Sequence, residues 1–149
     1  MKLDTRLSSV LHLVLHMADA GSPLTSETMA AMLGTNPVVV RRTMSGLREA
    51  GLVGSEKGHG GGWLLERSLN EITLADIHAA LGHPALLAFG NRNDNPQCLV
   101  ERAVNARMAT AMKDVQSLVL QRLAAITLAD IRSDFEDKLK DHHHAHHHS

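Results

Sequence analysis

Apolar residues recur three or four positions apart along most of this chain, and this spacing predicts a mainly helical protein. A first helix is outlined by Leu3, Leu7, Val10, Leu11, Val14 and Ala18. It ends near residues 21–23, where a glycine, a serine and a proline follow one another. Thr25 or Ser26 then caps a short second helix. That helix runs from Glu27 to Leu33, and Gly34 closes it.

A third helix begins at Asn36, because asparagine is a good N-cap and Pro37 suits the first helical position, where no backbone N–H is needed. It runs to Ala50 and ends at Gly51. One side is apolar and faces the predicted core, with Val40, Met44 and Leu47 at helical spacing. The other side is basic and hydrogen-bonding, with Arg41, Arg42, Ser45 and Arg48. Taken alone, such a helix is as often simply solvated as it is a DNA-reading helix.

A glycine-rich hairpin follows the third helix. Its strands, Leu52 to Ser55 and Trp63 to Leu65, are separated by the turn Lys57 to Gly62. Four glycines in this turn let its backbone approach another surface closely. Helix, short helix, longer helix and hairpin is the order of a winged helix-turn-helix domain.

The chain after the hairpin is also predicted to be helical. A helix from Asn70 to Leu81 has Thr73 and Asp76 spaced as a variant capping box, and Gly82 ends it. Residues 83–97 form a loop that contains two prolines and three asparagines. A last helix runs from Thr127 to about Lys140, and its first five residues repeat residues 73–77. Five residues are too few to indicate a duplication.

Between the loop and the last helix, residues from Cys98 to about Ala125 contain no glycine or proline. We expect a helix of about 28 residues, or about 40 Å. Its apolar stripe consists of Val100, Val104, Met108, Met112, Val115, Val119 and Leu123. The stripe is too long for a small domain to cover, so we expect a homodimer through residues 98–125 rather than a helix packed only on its own domain.

These elements predict a mainly α fold with a small β-hairpin: a winged helix-turn-helix plus a long dimerisation helix. We expect a DNA-binding domain over residues 1–82, an effector or sensor loop over residues 83–97 and dimerisation helices over residues 98–140. Residues 141–149 form a His-rich tail, which binds metal on chemistry alone and is either native or a cloning tag.

Composition limits the function. With 149 residues, 44% of them hydrophobic, the chain can form one domain with an appendage. No apolar run is long enough to span a membrane and no signal-peptide pattern begins the chain, so we expect a cytoplasmic protein with no membrane partner. The net charge of −1 argues against a non-specific polycation, although a local basic cluster is sufficient for groove binding. One cysteine excludes an intrachain disulfide.

Four segments then carry a family resemblance: NPVVVRRTMSGLREAGLV, GHGGGWLL, ITLADIHAALG and CLVERAV. Together they resemble the Rrf-two family of bacterial winged-helix regulators, which includes IscR, NsrR and CymR, over residues 1 to about 140. The resemblance implies a homodimer, with repression as the expected mode, bound to a palindromic operator in double-stranded DNA. It implies that the helix from Pro37 to Ala50 enters the major groove and the wing enters the minor groove.

The predicted DNA-binding residues combine the basic helix face, the helix starts and the wing. The resemblance implies that Arg41, Arg42 and Ser45 read bases and that Lys57 is the basic wing residue. The full set is Thr25, Ser26, Asn36, Pro37, Val38, Arg41, Arg42, Ser45, Arg48, Lys57, His59, Gly60 and Gly61.

The cysteine content departs from the cluster-binding members of the family, which usually carry three cysteines. This chain keeps only Cys98, and Glu101 stands where some members have a histidine ligand. Ser8 and His12 stand where other relatives use a carboxylate and a histidine. The segment NPQC is instead similar to the single-cysteine, YwnA-like branch, for which no cluster is implied. We expect no cofactor; the alternative is a [2Fe-2S] regulator with the atypical ligands Cys98 and His12.

Cys98 is the candidate sensor for redox or electrophile stress. At the start of a long helix its thiol would feel unpaired N–H groups and the macrodipole, which lower a thiol pKa. Arg102 adds positive charge and Glu101 opposes it, so the net direction stays open. The alternative is a small buried hydrophobe. His12 and His16 lie one turn apart, a spacing that permits metal binding, but surface or core histidines are the simpler interpretation.

Two other function classes are weaker. An enzyme is not expected, because no catalytic set in a recognisable context and no nucleotide motif is visible. A winged-helix interaction module that does not bind DNA is an alternative, since a fold does not fix its function.

Overall fold

The computed structural model describes residues 5–56, 62–86 and 97–145. Its elements follow in the order α1 (Arg6–Ala20), α2 (Ser26–Leu33), α3 (Pro37–Glu49), β1 (Val53–Ser55), β2 (Trp63–Leu65), a 3-10 turn (Leu69–Glu71), α4 (Leu74–Ala80), α5 (Leu99–Ala124) and α6 (Leu128–Ala145). The predicted fold class, mainly α with a small β-hairpin, is confirmed. In the described ranges, no helix is long and apolar enough to cross a membrane.

The helix starts are fixed by side chains that accept hydrogen bonds from the backbone. The hydroxyl of Thr25 accepts from the N–H of Thr28 at 3.1 Å, so Thr25 rather than Ser26 caps α2. The side-chain oxygen of Asn36 accepts from the N–H of Val39 at 3.1 Å, ahead of Pro37 in the first turn of α3. Each cap satisfies a backbone donor that the helix itself leaves without a partner.

Three predicted boundaries are wrong. The helix predicted from Asn70 begins only at Leu74, because a 3-10 turn is followed by Ile72 in extended conformation, with φ −108° and ψ 119°. The helix predicted to end near Lys140 continues to Ala145. The first strand begins at Val53 rather than at Leu52. The predicted wing turn, residues 57–61, and most of the predicted sensor loop, residues 87–96, lie outside the described residues.

The described core is built almost entirely by the first 80 residues. Its buried apolar side chains are Val10, Leu13, Val14, Met17, Met29, Ala30, Val40, Met44, Leu47, Leu52, Val53, Trp63, Ile72, Leu74, Ile77 and Leu128. Leu128 is the one member from the C-terminal half within the described ranges. On α3, Val40, Met44 and Leu47 form the buried side that the sequence predicts.

The hairpin is anchored to the turn between α1 and α2. Strands β1 and β2 are antiparallel, with Ser55 opposite Trp63. Leu24 adds a bridge on the other side of β2: its N–H donates to the Trp63 carbonyl at 3.0 Å, and the Trp63 N–H donates to the Leu24 carbonyl at 2.8 Å. A Cβ atom at Gly62 would lie 2.6 Å from the Leu24 carbonyl oxygen, so the close approach needs glycine here.

The repeated peptide forms a reciprocal bridge with itself. The sequence ITLADI occupies residues 72–77 and again residues 126–131, which extends the five-residue repeat by one isoleucine. The N–H of Leu74 donates to the Ile126 carbonyl at 3.0 Å, and the N–H of Leu128 donates to the Ile72 carbonyl at 2.9 Å. Between them Thr73 and Thr127 form an antiparallel bridge. The bridge thereby attaches the start of α6 to the start of α4.

Both copies of the repeat carry the same capping geometry. The hydroxyls of Thr73 and Thr127 accept from the N–H groups of Asp76 and Asp130, each at 3.1 Å. The aspartate carboxylates accept in return from the threonine N–H groups, each at 2.9 Å. Such reciprocal capping boxes start the two helices in the same way, and the carbonyl of the preceding isoleucine accepts the bridge hydrogen bond in both copies.

Candidate nucleic-acid interface

The side of α3 opposite the core is the polar helix face that the sequence predicts for DNA. Val38, Arg42, Ser45 and Glu49 share this outward face, at spacings of four, three and four residues. Val38 is 59% exposed and Arg42 is exposed, whereas Ser45 is half-buried. The acidic Glu49 at the end of this face is a member that the sequence reasoning missed.

Arg41 lies on the flank of α3 that faces α2. Its guanidinium Nη2 is 3.0 Å from the Glu27 carboxylate, and the two side chains are 53% and 67% exposed. A solvated ion pair of this kind contributes about 0–1 kcal/mol, so a phosphate or a base can replace Glu27 at little cost. Glu27 was not among the predicted site residues, since 14 residues separate it from Arg41 and no local pattern connects them.

Arg48 lies on the same flank of α3, seven residues after Arg41 and closer to the hairpin. Its guanidinium carbon is 5.6 Å from the centroid of the Trp63 ring, within the range of a cation–π contact. Trp63 in turn donates its indole N–H to the Ser26 hydroxyl at 3.0 Å, in a buried contact. The three residues connect the end of α3, the hairpin and the start of α2, so the surfaces predicted to touch DNA are held in one geometry.

The predicted site residues therefore fall into three groups. Asn36, Pro37, Val38, Arg41, Arg42, Ser45 and Arg48 are brought together along α3. The hydroxyls of Thr25 and Ser26 form hydrogen bonds within the protein. Thr25 caps α2, and Ser26, at 8% exposure, accepts a hydrogen bond from the Trp63 indole. Lys57, His59, Gly60 and Gly61 lie outside the described residues. Trp63 was missed as an organising residue, although a buried indole N–H generally needs an acceptor.

Cys98 is exposed at the N-cap of α5, so the alternative of a buried hydrophobe is wrong. The Cys98 side chain does not cap the helix with a hydrogen bond of normal geometry. The nearby backbone N–H groups nevertheless lower the pKa of its thiol, that of Glu101 most and that of Val100 next. The direction that the sequence left open is therefore downward, and its cause is the helix start rather than a charged side chain. A lowered pKa increases the thiolate fraction at neutral pH.

The donor set of the described residues does not fit an iron-sulfur cluster. Cys98 is the chain's single cysteine, whereas such clusters are held mostly by thiolates. Across the described ranges, no group of three or more His, Cys, Asp and Glu side chains is placed to hold a metal ion. No cluster step is therefore assigned to this chain.

Comparison with known proteins agrees with the resemblance drawn from the sequence. Residues 3–134 match the profile of the Rrf2 (Rrf-two) family, described as iron-dependent transcriptional regulator. YwnA of Bacillus subtilis (strain 168), described as an HTH-type transcriptional regulator, is 29% identical over 129 residues, which cover 87% of this chain and 96% of YwnA. The predicted YwnA-like resemblance is thus confirmed.

Two solved structures extend the comparison. T. potens IscR is 25% identical, covers 93% of this chain with 90% of its own, and superposes with a TM-score of 0.64. CymR of B. subtilis, titled the global cysteine regulator, is 25% identical, covers 89% of this chain with 97% of its own, and has a TM-score of 0.55. Both neighbours share the overall fold of this chain.

The Ser26 hydroxyl should stabilise the interface from inside. Ser26→Ala leaves the buried Trp63 indole N–H without its acceptor, so we expect the free energy of unfolding to fall by about 1–3 kcal/mol in urea denaturation. Ser8→Ala is the matched control, an exposed serine on α1 whose loss should change stability by less than about 0.5 kcal/mol. Equal unfolding midpoints for the two variants would contradict this role of Ser26.

Proposed function

Because the chain belongs to the Rrf2 family of transcriptional regulators, we propose that it represses transcription as a homodimer bound to a palindromic operator in double-stranded DNA. The proposal rests on the arginine-bearing face of α3. Contacts with α2 and with the hairpin fix the position of this face next to the wing. The buried side of α3 fixes the helix while its outer side stays accessible. A helix placed in this way fits the major groove, and the wing beside it fits the adjacent minor groove.

Arg42 is the best candidate for base reading in this proposal. It lies on the outward face of α3 with Val38, whose methyl groups suit contact with a thymine methyl. Arg41 and Arg48 flank this face and are held by Glu27 and Trp63. We assign them to phosphate contacts or to a base reached after Glu27 is displaced. Ser26 and Thr25 are assigned to positioning rather than to DNA contact.

The homodimer is proposed from the surface of α5. This helix has 26 residues, about 39 Å, and within the described chain none of them is buried. Five of its exposed apolar side chains recur along one face, Val100, Val104, Met108, Val115 and Leu118, while the exposed Leu99 lies beside that face. Leu118 was missing from the stripe that the sequence predicts. A second copy of this helix would cover the face, and a two-fold axis would present two α3 helices to two half-sites.

The proposed repression and cellular location both follow from the proposal that the chain binds DNA as a dimer. A dimer that occupies a promoter excludes other proteins from that DNA, whereas activation requires a further surface for polymerase. We keep the division into a DNA-binding domain (1–82), a sensor loop (83–97) and dimerisation helices (98–140). A regulator that acts on bacterial DNA would work in the cytoplasm.

Cys98 is the proposed sensor. It combines exposure with a lowered pKa at the first turn of the proposed dimer helix. A bulky or charged group on its sulfur would disturb this turn and change the separation of the two wings. Oxidation or alkylation would therefore change DNA affinity, with no metal or cofactor taking part.

The first test of the proposal measures DNA affinity. Binding sites are selected from random DNA, and Kd is measured by fluorescence anisotropy at fixed salt. Arg42→Ala should lose about 1–3 kcal/mol of binding free energy if the guanidinium pairs with a guanine edge. Lys57→Ala should weaken binding to all sequences and lower the salt slope by about 1. Lys113→Ala removes an exposed cation from the side of α5 opposite the proposed seam and is the control.

The outcomes of this measurement separate the function classes. A wild type that selects no sequence and binds no DNA would replace the regulator with an interaction module. A Kd for Arg42→Ala equal to that of Lys113→Ala would remove the outward face of α3 from base reading.

The second test measures the oligomeric state. Val115→Glu should place a charge against its own mate at the two-fold seam, cost several kcal/mol and release monomers. Ser117→Glu, on the opposite side of α5, adds the same charge outside the seam and should leave the dimer intact. Light scattering at micromolar concentration measures the molar mass of both variants. A monomeric wild type would contradict the dimer and the palindromic operator together.

The third test concerns Cys98. Because the pKa of its thiol is lowered, the rate of alkylation by iodoacetamide should rise with pH around a midpoint below that of the same protein unfolded in urea. Operator binding is then compared before and after peroxide or quinone treatment. Cys98→Ser should bind the operator and ignore both reagents. An equal response of wild type and Cys98→Ser would discard the thiol switch.

A further inference from the structure

Two histidines of α1 lie with their ring nitrogens in direct contact. The Nε2 atoms of His12 and His16 are 2.8 Å apart, and the ring centroids are 4.6 Å apart. One ring donates a proton to the other, and which one donates depends on the tautomers. Both side chains are exposed. This pair is not used by the DNA interface, by the proposed dimer stripe or by Cys98.

We propose that His12 and His16 form a two-histidine chelate for one late first-row divalent ion, with Cu²⁺ and Ni²⁺ preferred over Zn²⁺. Metal–imidazole bonds of about 2.0–2.1 Å place two nitrogens about 2.8–3.0 Å apart when they bind at adjacent 90° positions. The same bonds in a tetrahedral site need about 3.3–3.4 Å. The observed separation of 2.8 Å matches the first arrangement.

The histidine pair opens onto a groove on the protein surface. The pair lines a groove between α1 and α6, together with Leu15, Asp19, Ile131, Arg132 and Phe135. Arg132 lies 3.1 Å from the Asp19 carboxylate and 3.3 Å from that of Glu136, so two carboxylates face one guanidinium. Glu136 is not part of the groove lining, so within the groove the Asp19 carboxylate balances the Arg132 guanidinium. The groove, of about 260 Å³, leaves room for water on the remaining positions of the ion.

Binding needs no large rearrangement. The ring that donates its Nε2 proton must carry it on Nδ1 instead, so that both Nε2 lone pairs bind the ion; the charge of the protein does not change. The tetragonal preference of Cu²⁺ and Ni²⁺ and the Irving–Williams order both place these ions ahead of Zn²⁺ at such a site. With Asp19 held by Arg132, the protein supplies two ligands and water supplies the others.

The second close pair of histidines is a matched contrast. The rings of His78 and His83 have centroids 5.5 Å apart, but the Nε2 atom of His78 is 2.7 Å from the Pro84 carbonyl and its Nδ1 atom is buried. No nitrogen of His78 is open to a metal ion. His83 has a φ of 54°, a conformation that asparagine tolerates, so His83→Asn removes an exposed histidine without strain.

The test titrates Cu²⁺, Ni²⁺ and Zn²⁺ in turn into the full chain and measures binding calorimetrically. The six histidines of residues 142–148 are changed to serine in every protein, so that the tail does not compete. We expect one Cu²⁺ per chain, weaker Ni²⁺ and still weaker Zn²⁺. His12→Gln and His16→Gln should each weaken Cu²⁺ binding at least tenfold, while His83→Asn should leave it unchanged.

Three results would overturn the chelate. Equal Cu²⁺ affinity in the parent protein and both α1 variants would place the ion elsewhere. Loss in only one of the two variants would show binding by a single histidine. Zinc as the tightest of the three ions would contradict the 90° arrangement. Thermal unfolding without metal verifies that each variant is folded, and none of these results depends on DNA binding.

Discussion

The reciprocal bridge between the two ITLADI segments is the constraint on which the arrangement of this protein depends. Two backbone hydrogen bonds, of 3.0 and 2.9 Å, join Leu74 to Ile126 and Leu128 to Ile72. Leu128 also enters the core of the winged domain with no exposed surface. Helix α5 contributes no fully buried residue in the described chain, but Leu123 near its end packs against the core and α5 also contacts α4 directly. A movement of α5 would therefore reach α4 through these direct contacts as well as through the bridge.

The recognition helix is coupled to the same segment from the other side. A Cβ atom at Gly46 on α3 would lie 2.8 Å from the Ala80 carbonyl of α4, so the two helices touch through backbone. Trp63, Ser26 and Leu24 lock the hairpin to the start of α2. Closely packed interiors transmit displacement because they have no void to absorb it. Helices α3 and α4 and the hairpin base are thus expected to move as one body.

Cys98 and the His12–His16 pair differ in chemical character and in the helix on which they act. The thiol is a nucleophile whose pKa is lowered by the first turn of α5. The imidazoles are the proposed nitrogen ligands within one helix, beside the groove that α6 forms with α1. Modification at Cys98 acts on the helix proposed to form the dimer, whereas an ion at the histidine pair acts on α1 and leaves the thiol available. The two proposals can therefore be tested independently.

The features that the sequence alone determined are local ones. Asn36 and Thr73 set helix starts through hydrogen bonds that span three residues, and the apolar period of α3 correctly predicts its buried side. Each of the four family segments is a continuous stretch of sequence, which is why the winged fold and the family were predicted correctly. One helix start was predicted wrongly because of a distant contact. Ile72 is extended, and its carbonyl accepts a hydrogen bond from the N–H of Leu128.

Only the tertiary structure decided which polar side chains are available. Ser26 and Trp63 are 37 residues apart, and Glu27 and Arg41 are 14 apart, so no periodicity could pair them. Burial of Ser26 and exposure of Cys98 and Leu118 likewise depend on what packs nearby. A helical repeat relates residues up to four positions apart, whereas these contacts form only when separate elements meet. The sequence determined the capped helix starts and the buried side of α3, whereas packing determined which polar side chains stay exposed.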